Sequence, residues 1–337
     1  MNKKSKLGQF FTTNYEYILQ GFPKPDIQHI IEPFVGNGDI LKWLKDISIY
    51  TLEMYDIDPK IENTIVRDTI TFPPSYTNKF VLTNPPYIAR NKNKNKDMYD
   101  LYNENDLYKC FLRTLINEPP EGGIIIIPLN FLCSIRKQDC KLRHDFLQVF
   151  SIISVNIFEE TVFKDTTCTI CSIYFSKDNI KKTQVLLNIK LFPNNIEKTL
   201  VLTENNYWLI GGDIYNLKST NYKIVRKTEN DDIETNTRMT VYTIDGGCKN
   251  NRICLKYDRD YVYIGKNTSR TVATLHIYNK ILSEEEQIDI VNRFNILLEE
   301  RREMYNSLFL SNYRESKEYA RKRISFDLVY NIVSSLL

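Results

Sequence analysis

Short apolar runs alternate with segments of helical spacing through the first half of the chain. The run "IIIIPL" after Gly123 is apolar on both faces, which is typical of a strand in a parallel sheet covered by helices. Helical spacing occurs in Asp39–Asp46, Asn105–Ile116 and Arg136–Phe150. This alternation predicts an α/β domain, doubly wound, with a mostly parallel seven-stranded sheet. The predicted strands are Ile27–Ile31, Tyr50–Ile57, Thr64–Arg67, Phe80–Thr83, the run after Gly123, Ser154–Glu160 and Thr167–Phe175.

After the last of these strands, polar segments alternate with short β-like runs such as "VLLNIKLF". Near the C-terminus, Ser283 and Glu286 have the spacing of a capping box, which predicts the start of a helix. A second helix is expected in Ile324–Leu336. We therefore expect an α/β domain in residues 1–180 and a C-terminal α+β domain with a helical tail in residues 181–337.

Composition narrows the class of protein. The 337 residues carry a formal charge of +3, so any basic surface must be local. No apolar run is long enough to span a membrane, and neither a signal peptide nor a metal site is predicted. The odd number of scattered Cys favours reduced thiols and an intracellular protein, in the cytoplasm or in the host cell if the protein is viral. Cys168 and Cys171 form a CxxC but lack a second pair or a nearby His, so we interpret them as strand residues.

"IIEPFVGNGDIL" has the order strand, Gly-x-Gly turn, helix. Glycines at such a turn let the backbone approach a ligand at the carboxyl end of the strand. The dinucleotide fingerprint requires a third Gly where Leu41 stands, so a pyrophosphate site is disfavoured. Glu32 at the strand end suits an ammonium instead, and the turn with Gly36 and Gly38 suits an adenosine joined to an amino acid. An ordinary βα turn is the alternative.

The next strand ends in "YDIDP". An acid at this position can accept hydrogen bonds from ribose hydroxyls, and Asp56 is the better candidate. Ile57 would then pack on an adenine ring. The alternative is that Asp56 and Asp58 only cap a turn.

"NPPY" (Asn84–Tyr87) follows the fourth strand, which in a doubly wound sheet lies beside the first. The Asn84 side-chain carbonyl and the Pro85 backbone carbonyl could each accept one N–H of an exocyclic amine and favour its pyramidal form. Pro85 and Pro86 stiffen the backbone, and Tyr87 could stack on the nucleobase that carries this amine. Such a base must be flipped out of a duplex to reach the pocket. A Pro-rich structural loop is the alternative.

In this order, the motifs resemble S-adenosylmethionine-dependent N6-adenine DNA methyltransferases of the gamma motif order, over residues 7–175. "GQFFTT" resembles their N-terminal motif, whose Thr, here Thr12, contacts the methionine end of the cofactor. "EPFVGNG" resembles the glycine motif, which implies that Glu32 binds the ammonium and that Phe34, Gly36 and Gly38 form the cofactor turn.

Three further motifs complete the resemblance. "DIDP" implies that Asp56 binds the ribose hydroxyls, with Ile57 beside the adenine, and "RDTITF" implies that Asp68 lies near the adenine amino group. "NPPY" is the family's catalytic motif, and "VFKDTT" implies that Phe163 stacks on the flipped base. The implied function is site-specific methylation of adenine N6 in double-stranded DNA, as the modification enzyme of a restriction-modification system. S-adenosylmethionine, double-stranded DNA and a cognate restriction endonuclease are the implied partners.

"RNKNKNK" (Arg90–Lys96) begins two residues after the NPPY motif. Its four cations Arg90, Lys92, Lys94 and Lys96 could add salt-sensitive phosphate contacts, or the loop could simply be solvated.

Several other functions share this chemistry. An RNA adenine-N6 methyltransferase and a DNA cytosine-N4 methyltransferase act on the same kind of amine, and a DNA-binding module on an inactive methyltransferase fold is the non-enzyme alternative. A protein-glutamine methyltransferase also uses Asn-Pro-Pro-Tyr, but that family has a helical domain before the glycine motif and lacks a large C-terminal domain. Asn at the first position of the tetrapeptide favours adenine, because cytosine enzymes usually carry Ser there.

Overall fold

The computed structural model describes residues 10–163, 166, 168–178, 180–231, 234–245, 252–313 and 320–337. Contacts divide the chain into two compact units, Met1–Trp208 and Leu209–Leu337.

A nine-stranded sheet organises the described part of the first unit, in the order β3-β2-β1-β4-β5-β7-β6-β8-β9. The neighbours from β3 to β5 are parallel, β7 is antiparallel to both β5 and β6, and β8 is parallel to β6. The mostly parallel α/β prediction is thereby confirmed. The strands are β1 His29–Glu32, β2 Thr51–Asp56, β3 Ile65–Val66, β4 Phe80–Thr83, β5 Gly122–Pro128, β6 Phe150–Phe158, β7 Ile170–Lys177, β8 Gln184–Phe192 and β9 Ile196–Thr203.

The strand order reverses between β1 and β4. From β1 the chain continues outward to β2 and β3, and it then returns to the other side of β1 as β4. Parallel pairing puts the carboxyl ends of β1, β2 and β4 at one edge of the sheet, where open α/β folds bind ligands. The glycine turn, the Asp56 loop and Asn84 therefore meet at this switch point.

The central strands are buried on both faces. Ile124 and Ile126 of β5 belong to one core cluster with Phe80 and Leu82, whereas the alternate residues Ile125 and Ile127 are also 0% exposed. Two-sided burial explains why β5 reads as an uninterrupted apolar run.

Helices connect these strands. The predicted helix at Asp39–Asp46 is instead a short 3-10 helix, Ile40–Leu44, which ends where Lys45 has a φ of 65°. Three more 3-10 helices are Ile47–Ile49, Arg90–Lys92 and Glu204–Asn206. The α-helices in the described part of the unit are α1 Tyr15–Ile18, α2 Asp97–Tyr102, α3 Leu107–Asn117, α4 Asn130–Cys133 and α5 Lys137–Val149.

The sheet continues two strands beyond the seven predicted, because β8 pairs with β6 and β9 pairs with β8. β8 buries Val185, Leu187, Ile189 and Leu191, the alternate residues that cover one face. The boundary between the units consequently lies at residues 208/209, not at 180/181.

The second unit is α+β, as predicted. One antiparallel sheet has the order β10-β14-β11-β13, and a smaller one has the order β12-β16-β15. Helix α6 begins with the predicted capping box, in which the Glu286 backbone N–H donates to Ser283 Oγ over 3.2 Å. A 3-10 helix, Gly212–Asn216, lies near the start of this unit. The strands and α-helices in its described part are β10 Ile224–Arg226, β11 Met239–Tyr242, β12 Ile244–Asp245, β13 Cys254–Tyr257, β14 Val272–Ile277, α6 Glu284–Tyr305, β15 Ser311–Tyr313, β16 Arg321–Arg323 and α7 Phe326–Leu336.

Within the ranges the structure describes, no helix combines the length and the apolar character needed to cross a membrane.

Candidate active site

A cavity opens at the switch point of the sheet. Residues from the N-terminal segment, the glycine turn, the loops after β2 and β3, and the NPPY motif line it together. Nine of the thirteen residues predicted for the site are among its lining residues: Thr12, Glu32, Phe34, Gly36, Asp56, Ile57, Asp68, Asn84 and Pro86. The other four, Gly38, Pro85, Tyr87 and Phe163, are not. Gly8 and Gln9 of "GQFFTT" and residues 164, 165 and 167 of "VFKDTT" lie outside the described residues.

Glu32, the last residue of β1, is 1% exposed. Its Oε1 accepts hydrogen bonds from the Thr83 hydroxyl and, over 3.0 Å, from the Phe34 backbone N–H. Its Oε2 is buried and has no hydrogen-bond partner among the described residues. Burial raises the pKa of Glu32 to about 8, while the bonds from Thr83 and Phe34 act in the opposite direction. A cationic hydrogen-bond donor at Oε2 would stabilise the charged form of this buried carboxyl group.

The glycine turn after β1 is fixed to Asp56 at the end of the neighbouring strand β2. The Gly36 backbone N–H donates to Asp56 Oδ2 over 2.9 Å, and the Asp58 N–H donates to Oδ1 over 2.8 Å. Gly36 has a φ of 50°, and a Cβ there would lie 3.0 Å from the Phe11 ring. Each Asp56 oxygen keeps a further lone pair for a ligand hydroxyl, so turn-capping and ribose binding are compatible roles.

Asp68 anchors the turn that follows β3. Its Oδ1 accepts from the backbone N–H groups of Ile70 and Thr71, each over 3.1 Å, and its Oδ2 accepts from the Thr71 hydroxyl over 2.7 Å. The nearby Ile57 is 58% exposed, which leaves an apolar surface beside the cavity. Asp68 therefore has a structural role of its own, and contact with an adenine amino group stays a prediction.

Hydrogen bonds hold the Asn84 side chain on both sides. Its Nδ2 donates to the Phe10 carbonyl over 2.7 Å and to Thr12 Oγ1 over 3.1 Å. Its Oδ1 contacts the Tyr87 hydroxyl, which also lies 2.6 Å from the Ile126 carbonyl. Burial raises the pKa of Tyr87 well above its usual value, so the hydroxyl keeps its proton. The amide is thus oriented before any ligand arrives, with one carbonyl lone pair left for an amine N–H.

Four aromatic rings form a cluster that includes Tyr87 of the NPPY motif. Phe10 stacks on Tyr87, with ring centroids 5.1 Å apart and an interplanar angle of 26°. Phe163 lies 5.9 Å from Phe10 and is 5% exposed. Tyr108 meets Tyr87 edge-on at 6.1 Å. The structure therefore groups Phe163 with the NPPY motif through Phe10, although neither Phe163 nor Tyr87 is among the residues that line the cavity.

Sequence reasoning missed several residues of the site. Thr83 precedes the NPPY motif directly, and only its distance from Glu32 in space reveals their hydrogen bond. Phe10 belongs to the N-terminal motif, in which the resemblance implies a role only for Thr12. Asn93 and Met98, in and after the basic loop, also line the cavity.

The basic loop thus adjoins the cavity. Arg90 forms an ion pair with Asp100 of α2, whereas Lys92, Lys94 and Lys96 are exposed. Three of the four cations are consequently available to a polyanion.

Among the described residues, no cluster of His, Cys, Asp and Glu is arranged to hold a metal ion. Cys171 is buried in β7, and its thiol donates to the Ile127 carbonyl over 3.5 Å.

Comparison with known proteins places the motifs in context. No family model matches the chain. Over 119 residues, or 34% of its length, the chain is 30% identical to the type II methyltransferases M.HincII and M.HindII of Haemophilus influenzae. The predicted resemblance to methyltransferases is thereby confirmed. The matched stretch covers 24% of M.HincII and 23% of M.HindII, about a quarter of each.

Solved structures with a similar fold include a type I restriction-modification methyltransferase subunit from Streptococcus thermophilus, with 14% identity and a TM-score of 0.39 over 54% of this chain and 48% of that one. The type I restriction enzyme EcoKI M protein has 12% identity and a TM-score of 0.38, over 87% of this chain and 73% of that one. With TM-scores below 0.5, neither similarity carries an argument about function.

Proposed function

We propose that this protein is a site-specific DNA adenine methyltransferase, which transfers the methyl group of S-adenosylmethionine to the N6 amine of a flipped adenine in double-stranded DNA. The observation that carries the proposal is one cavity lined by both Glu32, whose buried Oε2 has no partner in the described part of the chain, and the pre-oriented amide of Asn84. Similarity to two type II methyltransferases supports a role as the modification enzyme of a restriction-modification system, with a cognate endonuclease as partner.

The residues of the cavity fit S-adenosylmethionine. Glu32 Oε2 would take the ammonium, Asp56 the ribose hydroxyls, and Ile57 a face of the adenine, with Asp68 near the adenine amino group. Thr12 and Phe34 would border the methionine end, and the turn with Gly36 and Gly38 would pass close to the ligand. When bound, the cofactor supplies an electrophilic methyl group.

The NPPY motif would prepare the amine. Asn84 Oδ1 and the Pro85 carbonyl would each accept one N–H, which favours a pyramidal nitrogen with its lone pair free for attack. Because Asn84 is held by Phe10, Thr12 and Tyr87, little reorganisation is needed during the reaction. Pro85 and Pro86 limit the backbone motion of the same turn.

Tyr87 and Phe163 would hold the flipped base. An aromatic ring stacks on any base, and this stacking contributes about 1–3 kcal/mol per base. The exposed cations Lys92, Lys94 and Lys96 would contact phosphates of the duplex.

The second unit would read the DNA sequence, and the first would carry cofactor binding and catalysis. Because β8 and β9 complete the first sheet, a fragment for testing this division should end at residue 208. That fragment should bind S-adenosylmethionine and lose sequence preference. Methylation of the same site by the fragment and by the whole chain would overturn the division.

A binding and transfer experiment tests the function. We expect calorimetry to detect S-adenosylmethionine binding, and Asp56→Ala to weaken it by about one to two orders of magnitude, because a hydrogen bond to a charged group contributes about 1.5–3 kcal/mol. Tritiated methyl groups should then appear in double-stranded DNA. Cofactor binding without transfer to DNA, RNA or protein would favour an inactive DNA-binding module.

A further inference from the structure

The Phe10 ring covers Tyr87, one of the two rings that the proposed function assigns to the target base. Its ring is stacked on Tyr87 at a centroid distance of 5.1 Å, and it lies 5.9 Å from Phe163. These two rings are the ones proposed to hold the flipped base. A flat ring already stacked on Tyr87 and a base stacked on the same face cannot be present together.

The backbone around Phe10 is tied to the catalytic motif. The Phe10 carbonyl accepts a hydrogen bond from Asn84 Nδ2 over 2.7 Å, and Thr12 Oγ1 accepts another over 3.1 Å. The segment from residue 10 to residue 12 is therefore anchored at two points, and the Phe10 side chain can rotate away while these anchors remain. Phe10 is only partly buried and packs against the core cluster rather than within it.

We propose that Phe10 is an internal stand-in for the target base. In the protein without DNA, its ring covers the face of Tyr87, and a base that enters the pocket must displace it. Phe10 is thus a specificity-determining residue, because a base is captured only if it stacks on Tyr87 well enough to replace the ring. A purine, with its larger π face, overcomes this competition more easily than a pyrimidine. The inference rests on the proposed function.

Competition by Phe10 predicts the direction in which the affinity for a free base changes when the ring is removed. When the binding-competent form is only a fraction of the population, the apparent affinity falls by that fraction. Removal of a competing aromatic ring should therefore strengthen binding of a free base, by between about two- and tenfold for an aromatic pair of ordinary strength. If Phe10 were instead a wall of the pocket, its removal would weaken binding.

The test uses the full-length chain and 2-aminopurine 2′-deoxyriboside, a fluorescent nucleoside whose emission is quenched by stacking. We expect Phe10→Ala to lower the apparent Kd between about two- and tenfold, and Phe10→Tyr, which keeps the ring, to match the wild type. Tyr87→Ala added to Phe10→Ala should abolish the gain, which distinguishes the base pocket from the cofactor cavity. Thermal melting confirms that each variant is folded, and Phe10→Leu replaces Phe10→Ala if the latter is not.

The inference would be overturned if Phe10→Ala bound the nucleoside no more tightly than the wild type. It would also be overturned if the gain persisted after Tyr87→Ala, or if no variant bound the nucleoside. The outcome is independent of methyl transfer. A chain that fails to methylate DNA but shows this competition would contradict the proposed function alone. A chain that methylates DNA without this competition would contradict only the role of Phe10.

Discussion

The Thr83 hydroxyl donates a hydrogen bond to the Glu32 carboxylate and so joins the last residue of β4 to the last residue of β1. Both side chains are buried, with 0% and 1% exposure. Because Asn84 follows Thr83 directly, the same strand end supports the carboxylate proposed for the cofactor ammonium and carries the amide proposed for catalysis.

Thr83→Val should weaken S-adenosylmethionine binding at neutral pH by about tenfold. Valine has a similar shape but cannot donate to the carboxylate, so the charged form of Glu32 loses a hydrogen bond. Calorimetry at pH 7 measures the effect. Thr114→Val on α3 removes another buried hydroxyl, which donates to the Phe111 carbonyl, and should leave the affinity unchanged. Equal affinities for the two variants would contradict this role of Thr83.

The motifs of the site could be predicted because each is continuous in sequence and follows a strand. Parallel topology then brings the strand ends together, so Glu32, Asp56 and Asn84 meet without any further information. The stacking of Phe10 on Tyr87 could not be predicted, because it depends on the path of the N-terminal segment and leaves no periodic signal.

The number of strands in the first sheet could not be predicted from the sequence either. The alternation of Val185 and Leu187 fits a strand with one covered face in either domain, since the pattern shows that one face is buried but not which strands pair with it. Only the pairing with β6 assigns β8 to the first unit.

Cofactor affinity should depend on pH with a maximum near 8. Burial raises the pKa of Glu32 to about 8, so below this pH the carboxyl must lose a proton to bind an ammonium, and affinity falls about tenfold per pH unit. Above it, the α-amino group of the ligand, with a pKa near 8, loses its own proton. Calorimetry between pH 6 and 9.5 gives the profile, and a flat profile for the wild type would exclude Glu32 as the ammonium partner.

Stability of the protein without cofactor should change with pH in the opposite sense. Because the pKa of Glu32 is raised in the native state, the native state holds a proton that the unfolded chain has released between pH 4.5 and about 8. The free energy of unfolding should therefore decrease as pH rises through this window. Glu32→Gln should remove this contribution, and urea titrations of both proteins at several pH values would show the difference.

Asn84→Ala should separate binding from chemistry. The carbonyl of Asn84 is most important as the amine becomes pyramidal, so the single-turnover rate should fall by about 10²–10³-fold, as for the loss of one oxyanion-hole donor. Affinity for S-adenosylmethionine should stay within a few fold, because Glu32 and Asp56 are untouched. Rapid quench with labelled cofactor measures the rate. A variant with a nearly normal single-turnover rate would defeat the proposed mechanism.

The three exposed lysines of the basic loop should account for part of the salt dependence of DNA binding. Each phosphate contact contributes about 0.9 to the slope of log K against log salt concentration. Replacing Lys92, Lys94 and Lys96 by Gln should reduce that slope by up to about three, whereas Lys141→Gln on α5 should leave it unchanged. Arg90 is kept, because it already pairs with Asp100. An unaltered slope in the triple variant would mean that the loop is merely solvated.

The nature of the methylated base tests the central claim most directly. Unmethylated genomic DNA is incubated with the protein and S-adenosylmethionine, the nucleosides are identified by mass spectrometry, and the modified positions are located by single-molecule sequencing. We predict N6-methyladenine at one short sequence motif, and none with Asn84→Ala. N4-methylcytosine would contradict the assignment of the base, and methyl groups that appear only when RNA is supplied would contradict the assignment of DNA as the substrate.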